Sequence, residues 1–412
     1  MQALVGIAVL ICISWLMSEA KKSVSWRLVV TAVAIQLALG VLFLKVPFIS
    51  ESLLFLNHIV EVIETATRKG TGFVFGYLGG GPAPFDITDP GAAYVFAFRV
   101  LPQILVFSVI VALLWYWRVL PAVVSGFGWL LKRGLSVSGA VGTAAASSVF
   151  LGMVETPLVV RAYLAKMSRS ELFTLMTCGM STVAGSIMVL YATQLAGVVD
   201  GALGHILAAS VLNVIGAVAI SRIMIPPGPD VVAEDVADTL SYSSNMDAIT
   251  RGTTDGLRLA VNVGAMVIVL VSLVALVNGL LGVIEIAGAK LTLERAMGWA
   301  FSPIAWLMGI PWSEAITAGA LLGTKLILNE LLAYIQMSGL SDADLGERSR
   351  LIMTYGLCGF ANFGSLGIML GGLSTLVSER RSELLELGPK TLISGTIVTC
   401  VTGAIVGAVS LI

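Results

Sequence analysis

The stretch LSVSGAVGTAAASSVFLGMVETPLVVRAYLAKM, Leu135 to Met167, decides how the whole chain is read. It is too apolar for a loop, yet Gly152, Glu155 and Pro157 break it in the middle, and Lys132 and Arg169 flank it. Basic residues close to a membrane segment mark its cytoplasmic side. A segment flanked by them at both ends enters and leaves on one face, as a re-entrant helical hairpin. Backbone that is not hydrogen-bonded is costly in hydrocarbon, so irregular chain at membrane depth is tolerated only where protein buries it or water lines it. The break therefore marks an internal cavity.

A second stretch of this kind, SEAITAGALLGTKLILNELLAYIQM from Ser313 to Met337, is broken between Thr324 and Glu330. Each hairpin is followed by a span with a related core, CGMSTVAGS at Cys178–Ser186 and CGFANFGS at Cys358–Ser365, the second one residue shorter. A unit of hairpin, interrupted span and final span is thus used twice. Composition agrees: of 412 residues 57% are hydrophobic and 12% charged, about half the charged share of an ordinary globular domain, which excludes a soluble enzyme. The 24 Lys and Arg against 25 Asp and Glu leave a net charge of -1, so no basic field is present to gather nucleic acid. Cys12, Cys178, Cys358 and Cys400 lie in apolar runs without CxxC spacing and suggest neither disulfides nor zinc.

A helix needs about 20 mostly apolar residues to cross a bilayer. Eight spans meet that test, near 1–17, 28–46, 92–117, 171–194, 202–223, 257–281, 350–376 and 389–412. The charges near the first (Lys21, Lys22, Arg27) follow the apolar run instead of preceding it, so it reads as a retained helix and not a signal peptide. Those basic residues, with Arg118, Lys132, Arg133, Arg161, Lys166 and Arg169 further on, place their connections inside. The fifth-to-sixth connection is acidic at Asp230, Glu234, Asp235 and Asp238 but carries Arg222 and Arg251 near the membrane, and also lies inside. Residues 47–91, with Glu51, Glu61, Glu64, Asp86 and Asp89, and the link around Asp200 then lie outside, as do both termini. The second hairpin enters from the face opposite to the first.

The expected fold is an all-α polytopic membrane protein: eight transmembrane helices, interfacial helices and two opposed re-entrant hairpins forming an inverted repeat. Secondary transporters hold substrate near the midplane with such repeats and broken helices. Ser50–Lys69 spaces Leu53, Leu56, Val60, Ile63 and Ala66 as a helix in the interface. Residues 119–133 and 292–308 read either that way or as connecting helices against the protein. The chain divides into 1–134 (scaffold helices and interfacial helices), 135–223 (first hairpin and repeat), 224–308 (cytoplasmic loop, scaffold helix and interfacial helix) and 309–412 (second hairpin and repeat).

Glu155 and Glu330 each stand at the break of a hairpin. A carboxylate at membrane depth costs roughly 2.5 to 3.5 kcal/mol on insertion scales unless paired, which makes both functional candidates; the alternative for Glu330 is a tie to Lys325. Asn362 and Ser365, between Phe360 and Phe363, bring an amide, a hydroxyl and aromatic faces to one helix interruption. Such a set suits a ligand with a sugar-like part and a flat ring; the alternative is helix packing through Gly364 and Ser365 with Asn362 bonding between helices. Ser147, Ser148, Ser181 and Thr182 supply hydroxyls near the breaks. Arg99, midway through the third span, is expected to pair or to cap a carbonyl, and His58 and His205 offer neither a metal set nor a proton relay. No HExxH, GxSxG or P-loop pattern occurs, so the chain reads as no enzyme, an intramembrane hydrolase using Glu155 and Glu330 being the remaining enzymatic alternative. Energy for transport then comes from an ion gradient.

The segments GMVETPLVVRAYLAKMSRSELF, CGMSTVAGS, GTKLILNELLAY and CGFANFGSLGI resemble the signature segments of the bacterial concentrative nucleoside transporter family, over nearly the whole chain. The resemblance implies a homotrimer in the inner membrane that imports nucleosides with Na⁺ or H⁺ by an elevator-like shift of the hairpin-bearing domain. It implies no cofactor besides the cation, and no partner besides nucleoside, lipid and further copies. By position it implies Glu155 at the nucleobase end, with Met153 and Val154 beside it and Ile187 opposite. Glu330 and Asn362 would bind the ribose hydroxyls, Phe360 would pack on the base, and Ser365 would add a ribose-side hydrogen bond. The cation site would comprise the Ser148 and Thr182 side chains and the Leu151 and Val183 carbonyls. The chain departs from the usual GQTEAP in having GMVETP, so Met153 and Val154 replace two hydrogen-bonding side chains. Such a pocket should discriminate less between bases or prefer a larger purine. Ser148 stands where members commonly have Asn; two hydroxyl side chains remain, which favours Na⁺ over proton coupling. A divergent member importing another polar metabolite is the alternative.

Overall fold

A computed structural model describes residues 1–46, 62–63, 65–86, 95–99, 101–135, 137–153, 155–228, 241–286 and 288–411. Helices α1 (Gln2–Leu16), α2 (Trp26–Lys45), α3 (Leu101–Tyr116) and α4 (Val119–Leu135) lead to the first hairpin. The hairpin consists of α5 (Gly139–Ser147), α6 (Glu155–Val159) and α7 (Arg161–Leu164). A broken pair, α8 (Arg169–Ser181) and α9 (Gly185–Gln194), follows, then α10 (Ala202–Met224) and the long α11 (Asn245–Leu281). The same order returns with α12 (Leu293–Leu307), the hairpin α13 (Trp312–Ile327) and α14 (Glu330–Ser338), the broken pair α15 (Glu347–Leu357) and α16 (Phe363–Leu376), and α17 (Arg381–Val409). A two-residue antiparallel pairing of Glu285–Ile286 with Ala289–Lys290 is the strand pairing among the described residues.

The repeat reaches further than its sequence cores. Helix α4 packs along α5 and α12 along α13, and each crossing is made through glycines. A Cβ on Gly142 would meet the Gly128 carbonyl oxygen at 3.1 Å, and one on Gly319 would meet the Gly298 oxygen at 2.6 Å. The expected segments 119–133 and 292–308 are therefore helices laid against their own hairpins. The expected spans 171–194 and 350–376 are each two helices, interrupted at Thr182–Ala184 and at Cys358–Asn362.

The two interruptions meet at the centre of the molecule. The Phe360 amide donates to the Thr182 carbonyl at 3.3 Å. Asn213 on α10, fully buried, donates through its amide nitrogen to the Ser181 carbonyl and to the Cys358 carbonyl, each at 2.7 Å. Carbonyls at a helix end have no partner within the helix, so a single side chain satisfies one from each break. Helices α10 and α17 are buried over most of their length, whereas α11 packs chiefly on α3 and leaves Leu257, Val261, Ile268, Leu276 and Leu280 exposed. Among the described residues five helices are long and apolar enough to cross a membrane: Trp26–Lys45, Phe96–Tyr116, Ala202–Met224, Asn245–Leu281 and Ser378–Val409.

At one end of the molecule Glu19, in the loop after α1, accepts from Arg169 at 2.9 Å and from Lys390 at 2.5 Å, and Arg169 also reaches Glu386 at 2.5 Å. This cluster ties the first loop, the start of α8 and the start of α17 together. Of the Ser50–Lys69 helix, Leu53, Leu56 and Val60 lie outside the described residues, as do His58 and the acidic positions Asp230, Glu234, Asp235 and Asp238; residues 65–75 are helical.

Candidate functional site

Glu330 opens α14 and is 3% exposed. The residue before it, Asn329, caps the helix by accepting from the Leu332 amide at 2.9 Å, which fixes the turn at the hairpin break and points Glu330 inward. Both carboxylate oxygens are engaged: Tyr191 donates its hydroxyl to one, and Asn362 donates its amide to the other at 2.9 Å. Asn362 in turn caps α16, its carbonyl oxygen accepting from the Ser365 amide at 2.7 Å. Hairpin tip and broken helix are thus joined through a chain of bonds, Tyr191 to Glu330 to Asn362 to Ser365. Lys325, the alternative partner of Glu330, donates instead to the Gly356 carbonyl at 3.0 Å and to the Thr399 hydroxyl at 2.8 Å.

These groups border a cavity of about 130 Å³. Its walls include Met153, Glu155, Ile187, Glu330, Phe360, Asn362 and Ser365, so the structure brings every described residue of the expected substrate set into one space. Val154 lies outside the described residues. Phe363 does not line the cavity and is 58% exposed, so the aromatic wall at this interruption comes from Phe360 alone. Three polar wall residues are not among those the sequence singles out: Tyr191, Asn329 and Asn262. Tyr191 lies one helical turn after Ile187, and Asn262 is an amide in an apolar run; those spacings were the available signals.

Glu155 faces the same cavity from the first hairpin, half-buried, and folds back over Gly152, where a Cβ would meet its carboxylate oxygen at 2.3 Å. A larger residue at 152 would displace that carboxylate. Gly152, Glu155 and Ala184 also border a second, larger cavity, whose outer wall carries Arg161, Tyr242, Arg251 and Asp255. The two spaces meet at Glu155.

The expected cation residues are gathered where the first hairpin touches the α8–α9 break, with the Gly185 amide donating to the Phe150 carbonyl at 2.8 Å. Ser148 and Thr182 are buried, and their hydroxyls donate to the Ala145 carbonyl at 2.7 Å and the Cys178 carbonyl at 2.9 Å. Their hydrogens being spent, their lone pairs are free for a cation. Leu151 and Val183 are buried beside them, and the Ser147 hydroxyl is buried with no partner among the described residues. Arg99 makes a long bond, 3.5 Å, to the Tyr77 carbonyl, the kind of cap expected of it. His205 shares a hydrogen bond with the Tyr355 hydroxyl at 2.9 Å.

An internal cavity closed by two hairpin breaks and two interrupted helices, with a carboxylate held by neutral donors, in a molecule of long apolar helices, defines a membrane transporter of small polar solutes. Comparison with known proteins names the kind. Profiles described as Na⁺ dependent nucleoside transporter N-terminus, nucleoside recognition (Gate), and Na⁺ dependent nucleoside transporter C-terminus match residues 5–78, 97–197 and 205–407. An uncharacterized transporter of Bacillus subtilis, YutK, is 36% identical over 98% of both chains. The nucleoside permease NupC of Helicobacter pylori is 35% identical, over 98% of this chain and 96% of the permease. The solved structure of CNTnw in an inward-facing substrate-bound state matches with a TM-score of 0.89 at 34% identity, covering 99% of this chain and 98% of that one. The chain belongs to the Na⁺-dependent nucleoside transporter family, and it is a transporter and not an enzyme.

Proposed function

We propose that this protein imports nucleosides across the bacterial inner membrane together with a cation, Na⁺ in preference to H⁺. The observation that carries the reading is the Glu330 carboxylate held between Tyr191 and Asn362 at the wall of the cavity. Both donors are neutral, so the negative charge remains available to accept from a pair of ribose hydroxyls, with Asn362 and Ser365 completing that end. Phe360, Met153 and Ile187 form the apolar base end, with Glu155, and by position Val154, beside it. A wall of Met and Ile offers dispersion but few hydrogen bonds, which supports uptake of both purine and pyrimidine nucleosides.

The cation is assigned to the Ser148 and Thr182 hydroxyls and the Leu151 and Val183 carbonyls. Neutral hard oxygens suit an alkali cation better than a proton carrier. Two hairpins re-entering from opposite faces, among eight spans with both termini periplasmic, would set the two runs of the same order, α4 to α10 and α12 to α17, in opposite orientations. The exposed apolar face of α11 supports assembly as a homotrimer, with the hairpin-bearing part shifting against α3 and α11 as an elevator. The divisions 1–134, 135–223, 224–308 and 309–412 belong to the same proposal, with the packing of α1 and α2 on α10 and α17 bearing on where the moving part begins. Arg161 and Arg251 at the outer wall of the second cavity support a cytoplasmic opening, hence an inward-facing form.

Uptake of radiolabelled uridine and adenosine into proteoliposomes, under an inward Na⁺ or proton gradient imposed separately, tests this. Accumulation of both under the Na⁺ gradient is expected. Failure of free nucleosides to compete with a polar metabolite that is accumulated would replace nucleoside as the substrate.

A further inference from the structure

Each hairpin crosses the helix before it through a pair of glycines, and the two crossings set the hairpins in register. Gly142 against Gly128 corresponds to Gly319 against Gly298. From that anchor GTAAASS at 142–148 aligns with GALLGTK at 319–325 without a gap, and Lys325 falls on Ser148. The first residue follows the end of α5 and the second sits in the last turn of α13.

Lys325 is 2% exposed, and its ammonium is held by oxygens alone, the Gly356 carbonyl and the Thr399 hydroxyl. A carbonyl and a hydroxyl are also the ligand types assigned to the cation in the first repeat. Gly356 lies in the last turn of α15, where free carbonyls and the helix dipole favour a positive charge. Just beyond it the chain unwinds to carry Phe360 and Asn362. We propose that Lys325 is a resident cation: a positioning residue whose ammonium does for the α15–α16 break what the coupling ion does for the α8–α9 break. One repeat carries its positive charge on the chain and the other takes it from solution. Coupling to an ion therefore resides in the first repeat, and nucleoside binding needs the Lys325 charge to hold Phe360 and Asn362 in place. This rests on the nucleoside reading above.

The test is equilibrium binding of radiolabelled uridine and adenosine to purified protein in nanodiscs, titrated from Na⁺-free to Na⁺-saturated buffer. If the unaltered protein binds neither, the nucleoside reading fails and not this one. Lys325→Ser is expected to bind about tenfold or more weakly at low Na⁺, as loss of charge-assisted hydrogen bonds implies. High Na⁺ should restore its binding, with a steeper Na⁺ dependence than the parent. Unchanged affinity and ion dependence, or loss at every Na⁺ concentration in protein that elutes and melts like the parent, would overturn the proposal. Should Lys325→Ser not assemble, the reciprocal Ser148→Lys decides: nucleoside binding independent of Na⁺ is expected, and binding that still requires Na⁺ as in the parent refutes it.

Discussion

Replacing Glu330 with Gln keeps the shape of the side chain and removes the charge that two neutral donors hold at the cavity wall. We expect Glu330→Gln to abolish uptake in proteoliposomes while the protein still elutes and melts like the parent; normal uptake would remove Glu330 from the ribose end. Tyr191→Phe takes away one hydrogen bond to a charged acceptor, worth roughly 1.5 to 3 kcal/mol, and should weaken nucleoside binding about tenfold or more with assembly intact. The difference between these residues is also the difference in what the sequence discloses. A carboxylate or amide in an apolar run is anomalous, so Glu155, Glu330 and Asn362 stand out. A tyrosine in an apolar helix reads as core, and the hydroxyl that makes Tyr191 part of the site is invisible without its partner on a helix far away in the chain. Asn329 hides for another reason, since its task is to cap the turn that aims its neighbour.

At the scale of elements, the two hairpins are legible as interrupted apolar stretches, and the broken spans follow from the related cores CGMSTVAGS and CGFANFGS. Helices α4 and α12 are not legible as members of the repeat, because what relates them is contact between glycines on different helices, a property that spacing along one helix does not report. That contact makes a graded prediction. The Cβ of Gly319→Ala would stand 2.6 Å from a backbone oxygen that has no flexible end to move, against 3.1 Å for Gly142→Ala. Overpacking of this kind costs typically 1–3 kcal/mol. Thermal unfolding of the purified variants should show a lower midpoint for Gly319→Ala than for Gly142→Ala. Equal midpoints would mean that the α12–α13 crossing can yield.

Across the whole molecule, the Glu19 cluster joins segments far apart in the chain. Hydrogen bonds and charge from Arg169, with Lys390 beside it, lower the Glu19 carboxyl from 4.5 to about 2. A depressed acid stabilises the fold while ionised, so its contribution is present above the unfolded value of 4.5 and is lost as pH falls towards 2. Glu19→Gln should melt below the parent at neutral pH, and the gap should close across that acidic window; a gap that persists there would assign it to packing. A different kind of link lies deeper, at Asn213, whose one amide group serves a carbonyl from each half of the repeat. Here an Asp would lose both donated hydrogens and a Gln would overshoot, so neither half can alter its break without regard to the other. A single substitution at position 213 would therefore strip a partner from both breaks at once.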